Sequence, residues 1–285
     1  MDLYLDEKHE TNFGSLVICG TVRNCAPYLE KVFENMAAIG SLFSDYKIVI
    51  SYDSSTDGSL DILKGLQERL EFKDNFILHI NTEPLYEYRV YNIAKARNKC
   101  LDTIRHMFPE YKYFIMMDCD DVCSQKVNLE ILSYYLSTSL STSLDPDLEW
   151  DSISFNKDPY YDLWALSKYP YSYGCMHFAN WASWGTFIEK IIKETPMNKL
   201  IPCLSAFNGF AIYKTNKFIN CYYDPKPRFD LIPPHLLKIN EALAGPIWIK
   251  GKAALIDCEH RSFHLLAINK NNAKIRISPL ILFSQ

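Results

Sequence analysis

Residues 113–122 read YFIMMDCDDV, an apolar run fit for the middle of a sheet that ends in three carboxylates within four positions. A buried charge is costly unless it is paired or bound to a metal. Asp118, Asp120 and Asp121 must therefore sit where a strand leaves the core, either solvated or holding something positive. On an extended backbone alternate side chains share a face, which puts Asp118 and Asp120 on one side and Cys119 on the other. Two hard oxygen ligands aimed together suit Mg²⁺ or Mn²⁺, ions that bind through one or two carboxylates plus substrate phosphates. A solvated turn, with acids at the start of the helix VNLEILSYYL (127–136), accounts for the same residues without any ligand. The motif alone leaves both readings open.

Working outward, three more apolar runs read as strands: SLVICG (15–20), KIVIS (47–51) and FILHI (76–80), with YKYFIMM (111–117) as the fourth. Between them lie segments of helical period. Pro27 opens one, with Leu29, Val32, Phe33, Met36 and Ala37 on a single face. LDILKGLQERL (60–70) is the second, and 90–107 is the third, with Ile93, Ala94, Arg97, Leu101 and Ile104 recurring at helical spacing. Strand and helix in strict alternation predict an α/β fold, a mostly parallel central sheet with flanking helices, whose sites lie beyond the strand C-termini.

Past the acidic cluster, LSTSLSTSLDPD (136–147) reads as a low-complexity loop. The second half turns aromatic, and its spacing predicts helices at FIEKIIKE (187–194) and PHLLKINEAL (234–243) and strands at FAIYK (210–214) and PIWIKG (246–251). Trp181 and Trp184, in YPYSYGCMHFANWASW (169–184), offer faces on which a sugar could stack, although core packing accounts for such clusters equally well. No linker separates the halves. The expectation is a single domain over 1–285, with lobes of about 12–122 and 123–285.

The totals narrow the function classes. At 285 residues and 48% hydrophobic content the chain supports a real core. Its 34 acidic and 30 basic residues give a net charge of −4, with no long run of one sign, so nucleic acid and membrane surfaces are not expected partners. Nine cysteines without a repeated CxxC spacing predict reduced thiols and a cytoplasmic location rather than a disulfide framework or a zinc site. No run approaches the roughly 18 apolar residues of a membrane span, and the first residues lack the apolar core of a signal peptide.

Four motifs, in order, now carry a resemblance: GTVRNC (20–25), SYDSSTDGSL (51–60), NIAKARNKCLD (92–102) and YFIMMDCDD (113–121). Together they resemble the glycosyltransferases of GT-A fold, whose family-2 members carry a turn like D-G-S-T-D, an A-R-N helix and a D-x-D. Further on, YYDLWAL (160–166) looks like a segment of the fungal capsule-type α-mannosyltransferases. FNGFAIYKT (207–215) is similar to the strand lining the acceptor side in GT-A enzymes, DCEHRSFH (257–264) falls where family-2 enzymes keep an acidic pair, and AKIRISPLIL (273–282) matches their closing strand.

The resemblance implies a Rossmann-like GT-A fold and a hexosyltransferase dependent on Mn²⁺ or Mg²⁺. It would move a hexose from a UDP- or GDP-sugar to a hydroxyl of a carbohydrate or glycoconjugate acceptor, with 12–122 as the nucleotide-sugar lobe and 123–285 as the acceptor lobe. It makes Asp53 the carboxylate that bonds the base or ribose, and Arg97 the cation near the nucleotide, with Arg23 and Arg89 as further donors to the diphosphate. Asp118 would contact ribose or metal, and Asp120 the metal. Glu259 stands where the general base is expected, and the second acid of that pair is replaced by His260. If 258–266 is helical, His260 and His264 share a face at i, i+4, and either is a candidate third metal ligand. YYDLWAL leans toward retention of configuration and the Glu259 position toward inversion, so the stereochemistry stays open. The alternative is a catalytically silent GT-A-like protein that binds a glycan or nucleotide. A nucleotidyltransferase would need a glycine-rich loop after the first strand, which GTVRNC is not.

Overall fold

β1 (Ser15–Val22) is apolar on both sides and lies inside the sheet, flanked in parallel by β2 (Asp45–Tyr52) and β4 (Tyr113–Asp118). β3 (Phe76–Ile80) adds to β2, also in parallel. The computed structural model describes residues 12–140, 145–173, 181–244 and 256–284. Within them the main sheet runs β3-β2-β1-β4-β8-β6-β9-β7, where β6 is Ser152–Asn156, β7 Ile201–Cys203, β8 Phe210–Lys214 and β9 Ile275–Ile281. β8 is antiparallel to both β4 and β6, and β7 to β9, while β6 and β9 are parallel. One sheet therefore joins the two halves of the chain. A short ribbon of β5 (Lys126–Val127) and β10 (Phe283–Ser284) stands apart.

Two apolar layers cover this sheet. Leu16 and Ile18 of β1 face one layer, where α1 (Leu29–Gly40), α2 (Ser59–Glu68) and α4 (Leu129–Leu140) bury Val32, Phe33, Leu63, Leu132 and Leu136. Val17 and Cys19 face the other layer, against Cys100, Leu101 and Ile104 of α3 (Arg89–Met107), Trp184 and Ile188 of α5 (Trp181–Glu194), and Phe263 of α8 (Glu259–Asn271). Strands buried on both faces have no polar alternation, which is why the first four read as near-continuous apolar runs. The short α6 (Thr215–Phe218) and α7 (Pro234–Ala244) complete the described helices.

The expected α/β class, with a mostly parallel central sheet and flanking helices, is the one observed. Two details differ. α4 runs on through LSTSL to Leu140, because its apolar face at Leu132 and Leu136 stays buried and outweighs the weak helix preference of Ser and Thr. The strand expected at PIWIKG lies outside the described residues.

The sheet order 3-2-1-4 reverses between β1 and β4, the switch point beyond whose strand ends ligands bind in open α/β sheets. Gly20 near the end of β1 makes that junction tight. A Cβ there would lie 2.4 Å from Cys119 Sγ and 2.9 Å from Ile50 Cδ1. Cys119 packs with Met117 in the α1 layer, on the opposite side from Asp118, whose partner Arg97 comes from α3.

Candidate active site

A cleft of about 660 Å³ opens at the switch point. Asp53, two residues beyond the Ser51–Thr21 pairing of β2 and β1, reaches it from one side, and Asp118 and Asp120 from the end of β4. Arg23 follows β1, Arg97 comes from the third turn of α3, and Glu259 is the first residue of α8. These six residues, expected from sequence, line the one cavity; His260 and His264 do not.

Arg97 organises the floor. Its guanidinium is 5% exposed; Nη2 donates to Asp118 Oδ1 at 2.9 Å, and Nη1 donates to Glu259 Oε1 and to His260 Nε2. The cation also lies 4.6 Å from the centre of the Phe207 ring. A planar fork with donors on two nitrogens can hold two carboxylates at once. Burial still pushes Asp118 up to about 7, against the pull of Arg97 and with Asp120 adding repulsion. Burial likewise raises Asp120 and Glu259 above the usual carboxylate range. The floor therefore carries more acid than its single buried cation neutralises.

Two expected roles change on this geometry. Arg97 was expected beside the nucleotide, yet both terminal nitrogens are taken by Asp118, Glu259 and His260, so it is the counter-ion of the floor. Arg23 and Arg89 are exposed on the rim with no ion pair among the described residues. Glu259, expected as the general base, has Oε1 committed to Arg97.

The two histidines, expected as candidate metal ligands, are packed away from the cleft. α8 is helical as anticipated, and the two rings stack at 5.8 Å between centroids, but the shared face points into the core. His260 Nε2 accepts from Arg97, and the ring lies 3.9 Å over Phe207. His264 places Nδ1 on Ser205 Oγ at 3.0 Å and Nε2 on Tyr213 OH at 3.2 Å. Burial, with Arg97 adding repulsion, holds His260 neutral well below its ordinary value, and burial takes His264 to about 3. His260 Nδ1 has no partner among the described residues, but neither ring lines the cleft.

Asp118 and Asp120 remain as candidate ligands. Arg97 occupies Asp118 Oδ1 and the Val122 N–H occupies Asp120 Oδ1 at 3.2 Å; no hydrogen bond among the described residues takes either Oδ2. Two carboxylate oxygens in an electron-rich cavity fit a hard divalent ion whose remaining ligands come from phosphate and water. Among the described residues no group of three or more His, Cys, Asp or Glu forms a self-sufficient metal site.

Asp53 is 8% exposed and its Oδ1 accepts from Asn81 Nδ2 at 2.9 Å, leaving Oδ2 as an acceptor. Asp57 is local structure, capping Ser59 and the Ala26 N–H. Asp121 is exposed and its carbonyl accepts from Ser124 within a single 3₁₀ turn. Trp184, considered as a sugar platform, is fully buried, donates Nε1 to the Leu163 carbonyl at 3.0 Å and stacks on Phe187. The side chain of Trp181 lies outside the described residues.

Two residues of the cleft region were not anticipated. Asp162 lines it, from the segment after β6. Asn208, at φ +56 beside Gly209 at φ +86, accepts the backbone N–H groups of Tyr161 and Asp162 at 2.8 and 2.9 Å and donates to the Phe155 carbonyl. The Asn-Gly dipeptide was the available signal, since those residues favour the left-handed region. A Cβ on Gly209 would meet Val122 Cγ1 at 2.3 Å, so the turn can press against the Asp118 loop only with glycine there.

Residues 17–140 match Glycosyl transferase family 2. That segment runs from β1 to the end of α4 and holds Arg23, Asp53, Arg97, Asp118 and Asp120; it supports a glycosyltransferase. No curated protein matches the chain. Among solved structures, S. aureus TarS 1–349 in complex with UDP-GlcNAc is 11% identical, with 94% of this chain and 57% of that chain covered and a TM-score of 0.49. TarS 1–349 without a named ligand gives 13%, 94%, 59% and 0.47. The mannosyltransferase PcManGT from Pyrobaculum calidifontis, in complex with GDP-Man and Mn²⁺, gives 15%, 71%, 45% and 0.39. The chain thus spans less than two thirds of the length of each of these structures. No described helix is long and apolar enough to cross a membrane.

Proposed function

We propose that the protein is a nucleotide-sugar-dependent glycosyltransferase of GT-A fold that transfers a hexose from a UDP- or GDP-linked donor to a hydroxyl of a carbohydrate or glycoconjugate acceptor. The observation that carries this reading is the convergence of Asp53, Asp118 and Asp120 on one cleft at the sheet's switch point, from a segment that matches a glycosyltransferase family. Asp53 Oδ2 bonds the base or ribose. Arg23 and Arg89 meet the diphosphate from the rim, where their charge is not already neutralised. Asp118 and Asp120 would hold Mn²⁺ or Mg²⁺, which would supply neutralisation of the charge developing on a leaving diphosphate. Arg97 keeps Asp118 and Glu259 in place beneath it. Residues 12–122 supply the donor lobe and 123–285 the acceptor lobe.

The test is a donor screen. With Mn²⁺ present, the protein is expected to release UDP or GDP from at least one of UDP-glucose, UDP-galactose, UDP-GlcNAc and GDP-mannose, with water as the acceptor, faster than a no-enzyme control. If neither nucleotide is released from any of them and neither binds, the cleft is not a donor site.

A further inference from the structure

Five carboxylates line the cleft, and four have a place on the donor side or in the floor, Asp53 being held by Asn81. Arg97 holds Asp118 and Glu259, and the Val122 N–H holds Asp120. Asp162 stands apart. Its Oδ1 accepts the Ala165 N–H at 3.0 Å, while Arg97 and Arg261 attract it only at long range and neither pairs with it. The Trp164 N–H also faces the carboxylate, and no side chain among the described residues bonds it.

The loop that carries Asp162 is pinned from several sides. Asn208 clamps the backbone at Tyr161 and Asp162. Trp184 holds the Leu163 carbonyl at 3.0 Å, and Arg261 holds that of Trp164 at 2.6 Å. Arg261 is itself locked by Asp257 at 2.9 Å and is 1% exposed. β6, β8, α5 and α8 all contribute to fixing this one turn. Asp162 is half-buried, and a partly desolvated charge kept rigid without a counter-ion costs stability, a cost that concentrates at functional positions.

Resting on the glycosyltransferase reading of the cleft, we infer that Asp162, rather than Glu259, is the catalytic base that takes the proton from the acceptor hydroxyl. The acceptor O–H bond breaks and its proton passes to Asp162 Oδ2. The freed pair on oxygen forms the bond to the anomeric carbon of the donor, and the bond from that carbon to the diphosphate breaks, its electrons leaving on the nucleoside diphosphate. A single displacement of this kind inverts configuration, and it assigns the acceptor to the side of the cleft walled by Tyr161 and Trp164.

The Asp162→Asn protein tests this, because the amide keeps an oxygen for the Ala165 N–H. With a donor that the wild type turns over, nucleotide release is expected to fall by about 100-fold or more, the range of general-base contributions. Sodium azide, a nucleophile that carries no proton to remove, is expected to restore release by about tenfold and to yield the inverted glycosyl azide. Stabilisation by UDP or GDP with Mn²⁺ is expected to match the wild type, and Asp162→Glu to recover part of the rate. Release within about threefold of wild type, a loss that azide does not rescue, or a loss of nucleotide stabilisation each overturns the base role while leaving the parent reading intact. A wild-type protein that neither binds nor releases nucleotide overturns both.

Discussion

Replacing Arg97 with methionine is expected to lower the folding free energy by about 3–5 kcal/mol, the cost of removing one partner from a buried ion pair. The side chain is 5% exposed and is the direct partner of both Asp118 and Glu259. Methionine keeps most of the volume over Phe207 but leaves two carboxyls, already pushed up by burial, with no cation. They respond by binding protons, so the loss is larger at pH 8 than at pH 5. Arg97→Lys rescues little, because one ammonium cannot present donors from two nitrogens to acids on opposite sides. Urea denaturation at the two pH values checks this. A loss below about 1 kcal/mol would mean that the Asp118–Arg97–Glu259 bridge does not hold the floor together.

Asp120→Ala separates chemistry from folding. Among the described residues its carboxylate pairs with no cation and accepts only the Val122 N–H, and its removal relieves repulsion on Asp118. The change in folding stability is therefore expected within about 1 kcal/mol, the scale of one exchanged hydrogen bond. Nucleotide release is expected to fall by about 100-fold or more, because charge stabilisation worth several kcal/mol disappears, and added Mn²⁺ should no longer affect nucleotide binding. Retained Mn²⁺-dependent turnover removes Asp120 from the mechanism.

The donor half was legible because its signals are local. Each of the first four strands is a near-continuous apolar run, the helices between them keep a 3.6-residue period, and Asp53, Asp118 and Asp120 sit within a few residues of the strand ends that place them. Arg97 was found by motif, but its role was not, since that depends on partners 21 and 162 positions away. α8 shows a second limit. Every residue from Glu259 to Ala267 is buried, so the helix has no polar face to mark which side meets the cleft. The i, i+4 spacing of His260 and His264 was read correctly as one face, and that face turned out to be packed on Phe207 and Tyr213. Asp162 lies in an aromatic stretch without periodicity, where only the fold reveals that a distant Asn208 turns it toward the site.

The central claim is that this cleft binds a nucleoside diphosphate together with a divalent ion. The most direct measurement is the thermal unfolding of the wild-type protein with UDP or GDP, each with and without Mn²⁺. At 100 times Kd a ligand stabilises the folded state by about 2.7 kcal/mol, so one nucleotide is expected to raise Tm by several degrees with Mn²⁺ and far less without it. No shift with either nucleotide, with or without the ion, would contradict the account.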